Sequence, residues 1–180
     1  MKKRLLLAIV LGMFSVGTAW AQGAPKAEFY GGYAFLHSSD LDMHGFLTGF
    51  EGRITNNLGI VGEFGIGFKT VSELGVDLSL KDYTFFAGPR FNYRSDKVRV
   101  FGEALFGGER IGVGTSVSGM GVNVGTTGFS IALGGGMDLS LNHRISIRLV
   151  QFDLIQTQFT LLGVSDWANT YRYSAGIVIK

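Results

Sequence analysis

The chain has 180 residues, enough for one domain or for one domain with a processed segment, and its 28 glycines against 2 prolines exclude both a collagen-like and a proline-rich linker sequence. It has no cysteine, which excludes a disulfide framework, a thiol nucleophile and a cysteine-based metal site. Its formal net charge is only +2, and although 46% of its residues are hydrophobic, no run beyond the N-terminus reaches the roughly 18 apolar residues of a membrane-spanning helix.

The N-terminus has the order of parts of a secretory signal. Lys2, Lys3 and Arg4 form a positive head, Leu5 to Val16 an apolar stretch too short to span, and Ala19-Trp20-Ala21 a small-residue cleavage site. These features predict a signal peptide over residues 1–21 and a mature domain over residues 22–180. Cleavage would remove three of the 16 basic residues and none of the 14 acidic ones, leaving a net charge of −1. The apparent basicity is a targeting feature, and nucleic acid is not an expected partner.

After a short leader, period-two alternation recurs along the whole chain, which is the signature of strands. The first strand is expected over Glu28–Leu36, with Phe29, Tyr33 and Phe35 opposite Tyr30, Gly32 and Ala34; His37–His44 reads as a loop. Strand two, Gly45–Thr55, sets Phe46, Thr48 and Phe50 against Glu51 and Arg53, and Asn56-Asn57 turns the chain into strand three, Leu58–Lys69. A connection over Thr70–Lys81 leads to the clearest hairpin, YTFFAGPRFNYRSDKVRVFGEALFGG from Tyr83 to Gly108, whose arms meet at the polar Arg94–Lys97 turn. Pro89 within it is expected to mark a bulge.

A long Gly/Ser/Thr/Val-rich connection, Glu109–Thr127, whose flanks can continue the strands, precedes strand six, where Phe129, Ile131, Leu133 and Met137 alternate with Ser130, Ala132, Gly134 and Asp138. Asn142-His143 turns the chain into strand seven, Arg144–Leu154, whose alternation blurs between Val150 and Asp153, where a bulge is expected. Gln156–Ala168 reads as the last loop and Thr170–Lys180 as the last strand. Eight strands joined alternately by long and short connections predict an all-β fold, an eight-stranded antiparallel up-and-down transmembrane β-barrel. Strands of about ten residues suit a tilted crossing of a bilayer.

The direction of the two faces follows from cost. An eight-stranded barrel encloses room for small layers of side chains only, and the Phe, Tyr, Ile and Leu of the apolar faces would overfill it. With those faces outward to lipid, the charged faces meet in the lumen. The expected lumen network is Glu51, Arg53, Glu63, Arg90, Arg99, Glu103, Asp138, Arg148 and Arg172, joined by Glu28 and Lys69, with signs nearly balanced so that each acid can find a base.

These stretches, FYGGYAF near the start, AGPRFNYR and FGEALFGG around the turn, and YRYSAGIVIK at the end, resemble the small outer-membrane barrel domains of the OmpA/OmpX type over the chain from about Glu28 onward. The chain departs from that pattern in having Lys180 after Ile179 where such barrels place an aromatic, which bears on insertion efficiency more than on fold. The resemblance implies a bacterial outer-membrane protein that is a non-enzymatic envelope or surface protein. Its expected partners are outer-membrane lipid, the barrel-assembly machinery and an extracellular ligand met through the loops, and no cofactor is expected. A narrow porin-like channel is the alternative.

A lipid-modifying enzyme is a further class, and His37 beside Ser38, Ser39 and Asp40 supplies the residue types of a hydrolase. Neighbours in a loop seldom point at one another, so a solvated loop is the expected reading. His44 and His143 stand alone in sequence and predict no metal site. Gly112–Gly125 lacks the lysine of a phosphate-binding loop and no helical pattern follows it.

Overall fold

The structure is a computed structural model that describes residues 27–38, 41–73, 76–117, 120–161 and 164–180. The expected signal segment, residues 1–21, lies outside the described residues, as does the leader up to residue 26. Eight strands follow in order: β1 (Ala27–Ser38), β2 (Leu41–Arg53), β3 (Leu58–Glu73), β4 (Val76–Arg94), β5 (Val98–Val117), β6 (Met120–Ser140), β7 (Ile145–Leu161) and β8 (Val164–Ile179). Each pairs antiparallel with the next, and β1 pairs with β8, closing the barrel. Closure leaves no edge strand whose backbone groups need another partner.

Alternation translates directly into the two faces of the wall. On β4, Arg90 is 0% exposed while its neighbour Phe91 is 63% exposed, and Asn92 is buried while Tyr93 is 73% exposed. On β5, Arg99, Phe101, Glu103 and Leu105 point inward and Val100 and Phe106 outward. The buried apolar residues, among them Tyr30, Leu47, Val61, Leu105 and Ile155, lie inside the barrel with the charges rather than in a separate core.

Three tight turns close one end. Between β2 and β3 the Thr55 hydroxyl accepts the Leu58 amide at 3.0 Å. Between β6 and β7 the Asn142 side chain accepts the amides of Arg144 and Ile145 at 2.9 and 2.8 Å, the local bonding for which asparagine suits a turn. The third turn joins β4 to β5, with the Ser95 amide donating to the Val98 carbonyl at 2.8 Å.

At the opposite end the structure corrects the sequence reading. His37–His44, Thr70–Lys81 and Gln156–Ala168 read as loops, yet the ladder runs through almost all of them, for example Glu73↔Val76, and in Glu109–Thr127 it runs beyond the flanks expected to continue the strands, as far as Val117↔Met120. Period two persists in places there, with Val76, Leu78 and Leu80 alternating with Asp77, Ser79 and Lys81, but the Gly, Ser, Thr and Asp around it carry the composition of a loop.

Two local features differ as well. The bulge in β7 falls at Leu149-Val150, where the register to β8 shifts between Arg148 and Gln151 and both residues face outward. From Gln151 the alternation is regular, which places Gln151 and Asp153 inward. Pro89 marks no bulge: the β4–β5 ladder passes from Ala87↔Phe106 to Arg90↔Glu103 in one register. Proline removes an N–H donor without adding a residue, so the ladder opens there rather than slipping.

Candidate functional site

The inward faces of all eight strands meet in a continuous polar network. At its centre the Arg90 guanidinium donates to Glu103 at 2.7 Å, to Glu63 at 3.1 Å and to Glu51 at 3.3 Å, and also to the Tyr30 hydroxyl at 3.2 Å. Tyr30 in turn donates to Glu63. Arg172 bridges Glu63 at 2.6 Å and Asp153 at 2.9 Å. The Gln151 amide nitrogen donates to Glu63 and Glu103, and its oxygen accepts from Arg148 at 2.6 Å. Arg148 reaches Asp138 at 2.9 Å, Arg99 is held by Asp138 and Glu28, and Glu28 also accepts Arg53 and Arg94.

All nine residues of the expected lumen set are therefore inward-facing members of this one network. Glu28 belongs to it, whereas Lys69 is half-buried toward the hairpin end. Such charges are tolerable out of water only because nearly every lone pair and proton meets a partner. Aromatic rings add to this. The Arg90 and Arg148 guanidinium carbons lie 4.9 and 4.1 Å from the Tyr30 ring centre and 4.3 and 4.5 Å from that of Phe101, cation–π distances with rings and cations interleaved.

Small residues make room for these groups. A methyl at Gly134 would run into the Asp153 carboxylate, and one at Gly49 would run into the Tyr30 ring. Glycine at these two positions lets the network approach the wall, which explains why an eight-stranded lumen holds so many long side chains.

Toward the hairpin end the lumen changes character. Asp82 and Glu109, diagonal neighbours on β4 and β5, are both buried, and Glu109 accepts from the Thr157 hydroxyl. No guanidinium forms an ion pair with either among the described residues, and neither Asp82 oxygen has a hydrogen-bond partner there.

Sequence reasoning missed Gln151 and Asp153 because the bulge was set one or two residues too late, missed Glu109 because it opens the Glu109–Thr127 segment, and missed Asp82 because it falls between the Thr70–Lys81 connection and the strand read from Tyr83. Tyr30, Phe86 and Phe101 were placed on the inward side by parity, but nothing in the sequence signals their stacking on arginine.

Three acidic groups, Glu63, Glu103 and Asp153, come close enough together to suggest a cation site. They are already engaged by Arg90, Arg172 and Gln151, which supplies the positive charge and donors that a metal would otherwise provide.

On the outer wall near the hairpin end, the His37 imidazole lies 2.6 Å from the Asp42 carboxylate. This hydrogen bond holds the Asp42 carboxyl below the usual carboxylate range. The Ser38 hydroxyl donates instead to the Asn169 carbonyl at 3.2 Å, so the described residues assemble no serine–histidine pair; Ser39 and Asp40 lie outside them. His44 is on the outer wall, bonded to the Tyr33 hydroxyl and packed on Phe35.

No protein-family model matches the chain, and no curated protein sequence matches it. Solved structures do. Ail, the attachment invasion locus protein of Yersinia pestis, in complex with the heparin analogue sucrose octasulfate, superposes with a TM-score of 0.59 at 21% identity, covering 86% of this chain and 99% of Ail. Neisserial surface protein A superposes with a TM-score of 0.57 at 15% identity, covering 86% of this chain and 95% of that one. At such identities the likeness concerns architecture alone, and it agrees with the closed all-antiparallel ladder: the chain has the fold of the small eight-stranded outer-membrane β-barrels.

Proposed function

We propose that this chain is an integral protein of a bacterial outer membrane, exported by a signal peptide over residues 1–21 and folded there as a plugged barrel whose activity lies in its outer hairpins. The observation that carries this reading is the inversion of polarity across the wall. Phe29, Phe46, Phe85, Phe91 and Tyr93 are exposed while Arg90, Arg172, Glu51 and Asp153 are buried. In water each large apolar side chain left exposed forgoes about 1.5–3 kcal/mol, and patches of this extent mark a surface that meets something apolar. In lipid the same surface costs nothing. Tyr83 and Tyr93 flank the outward Phe85, Ala87 and Phe91 on β4, a spacing that suits a tilted crossing with aromatic rings at both interfaces.

By the usual orientation of such barrels the three tight turns face the periplasm and the long hairpins face outward. The barrel-assembly machinery and outer-membrane lipid are the partners this implies. The packed lumen favours a non-conducting, non-enzymatic anchor over a pore, because Arg172 on β8 and Gln151 on β7 reach across it to Glu63 on β3, and Arg99 on β5 reaches Glu28 on β1. The outer hairpins carry Asp40, Asp42, Glu73, Asp77 and Asp166 against Lys69, Lys81 and Arg110. That balance suits a neutral or cationic partner better than a sulfated one, so the sugar ligand of Ail is not a model for this chain's.

Gel mobility of unheated and boiled samples, taken with fractionation, tests the reading. A detergent-requiring protein that shifts on boiling is expected. A water-soluble monomer with no shift would overturn it.

A further inference from the structure

The turn end of the barrel contains a bowl of about 440 Å³ at the mouth of the lumen. Its lining comes from the end of β2 (Arg53), the β4–β5 turn (Arg94 to Arg99), the β6–β7 turn (Ser140 to His143) and Lys180. The bowl therefore lies on the barrel axis, not on the lipid-facing wall.

Charge at this mouth is unevenly matched. Arg53, Arg94, Lys97, Arg99 and Lys180 line it. Their acidic counterparts are Asp96 on the rim and, beneath it, Glu28, Asp138 and Glu51, with Asp138 also held by Arg148 and Glu51, 3.4 Å from Arg99, also held by Arg90. Glu28 alone accepts three guanidinium groups, those of Arg53, Arg94 and Arg99. One carboxylate with two oxygens saturates there and leaves donors over. The buried Arg53 Nε has no acceptor. Lys180 Nζ, with three N–H donors, gives one to the Ser140 hydroxyl at 3.0 Å.

We infer that this bowl is an anion site that takes a phosphate group. Guanidinium forks and ammonium groups converging from several elements recognise phosphate through charge-assisted hydrogen bonds. Arg53 and Arg94 would supply the forked donors, and Lys97 and Lys180 point charges at the rim. A volume of about 440 Å³ admits a phosphate with a small organic part attached. The phosphate can belong to a soluble periplasmic molecule or to the headgroup of a neighbouring phospholipid. The assignment to the periplasmic side rests on the orientation proposed above, whereas the site itself does not.

The test uses the full mature barrel, first shown to be folded by its heat-dependent mobility, so that failure of the membrane reading is seen before any ligand is added. Pyrophosphate is titrated into the protein in zwitterionic micelles and followed by amide NMR shifts. Saturable shifts confined to the β4–β5 turn, the β6–β7 turn and the end of β8 are expected. Lys97→Gln, at an exposed turn position where folding is not at stake, is expected to weaken binding several-fold, and Arg94→Gln roughly tenfold, the worth of a partly exposed charge-assisted bond. Lys81→Gln at the hairpin end should change nothing.

Repeating the titration in phosphatidylcholine and phosphatidylglycerol nanodiscs separates the two sources. Loss of pyrophosphate binding in phosphatidylglycerol alone assigns the site to lipid headgroups, and retention in both assigns it to a soluble phosphate. Shifts that fail to saturate, or that respond equally to Lys81→Gln and Lys97→Gln, would overturn the site.

Discussion

The two faces of the same wall are built from alternate residues of the same strands, yet they answer to opposite rules. Outward, Val100, Ala104 and Phe106 are apolar and depend on the medium; inward, Arg99 depends on Asp138, and Phe101 and Glu103 on Arg90. A side chain on the outer face is therefore replaceable by any group that lipid accepts, whereas a side chain on the inner face is tied to two or three named partners. The contrast can be broken from either side.

The largest effect is expected inside. Arg90→Met removes the cation shared by Glu51, Glu63 and Glu103, leaving buried carboxylates short of positive charge, and should destabilise the folded barrel by roughly 3–5 kcal/mol. Urea unfolding in lipid vesicles measures it. A loss below about 1 kcal/mol would mean that water or another cation already serves those acids. Next comes the outer face: Ala104→Arg places a charge against lipid and should cost about 2–4 kcal/mol near the bilayer midplane, less toward either interface. Tolerance of arginine at Ala104 would reverse the assignment of the wall.

Glu103→Gln should cost less, on the order of 1 kcal/mol, since the amide oxygen still accepts from Gln151 and Arg90 keeps Glu51 and Glu63. The smallest effect belongs to the exposed His37–Asp42 pair. The Asp42 carboxyl is held low by that hydrogen bond, so its contribution is complete above the ordinary aspartate pKa of about 3.9 and fades as pH falls through the depressed value. Amide NMR at pH 6 and below pH 3 should show the β1–β2 tip loosening while the central ladder is unchanged.

How much of this was legible in the sequence follows from where one face was apolar. Between Tyr83 and Phe106 period two gave both the strands and their facing, and parity alone placed Arg90, Arg99 and Glu103 inside. Over Thr70–Lys81 the alternation of Val76, Leu78 and Leu80 with Asp77, Ser79 and Lys81 is too short and too broken by Ser, Glu and Gly upstream to stand out as a strand, so pairings such as Thr70↔Ser79 were not legible. A single extra residue at Leu149-Val150 inverted parity locally and hid Gln151, which joins Glu63 to Arg148, and Asp153, which Arg172 bridges to Glu63. Arg90 with Glu103 and Arg99 with Asp138 are ladder neighbours fixed by hairpin register, whereas Arg172 with Glu63 and Arg99 with Glu28 were not legible, because those pairs depend on which strands stand opposite across the lumen.

The central claim is that the apolar face meets lipid and the charged face does not. The chain has no cysteine, so single cysteines introduced along Val100 to Phe106 can carry a spin label without interference. Paramagnetic accessibility in reconstituted vesicles then reads each position against oxygen, which partitions into lipid. The account predicts high oxygen accessibility at Val100, Gly102, Ala104 and Phe106 and low accessibility at Phe101, Glu103 and Leu105. An alternation of opposite phase, or none, would contradict it.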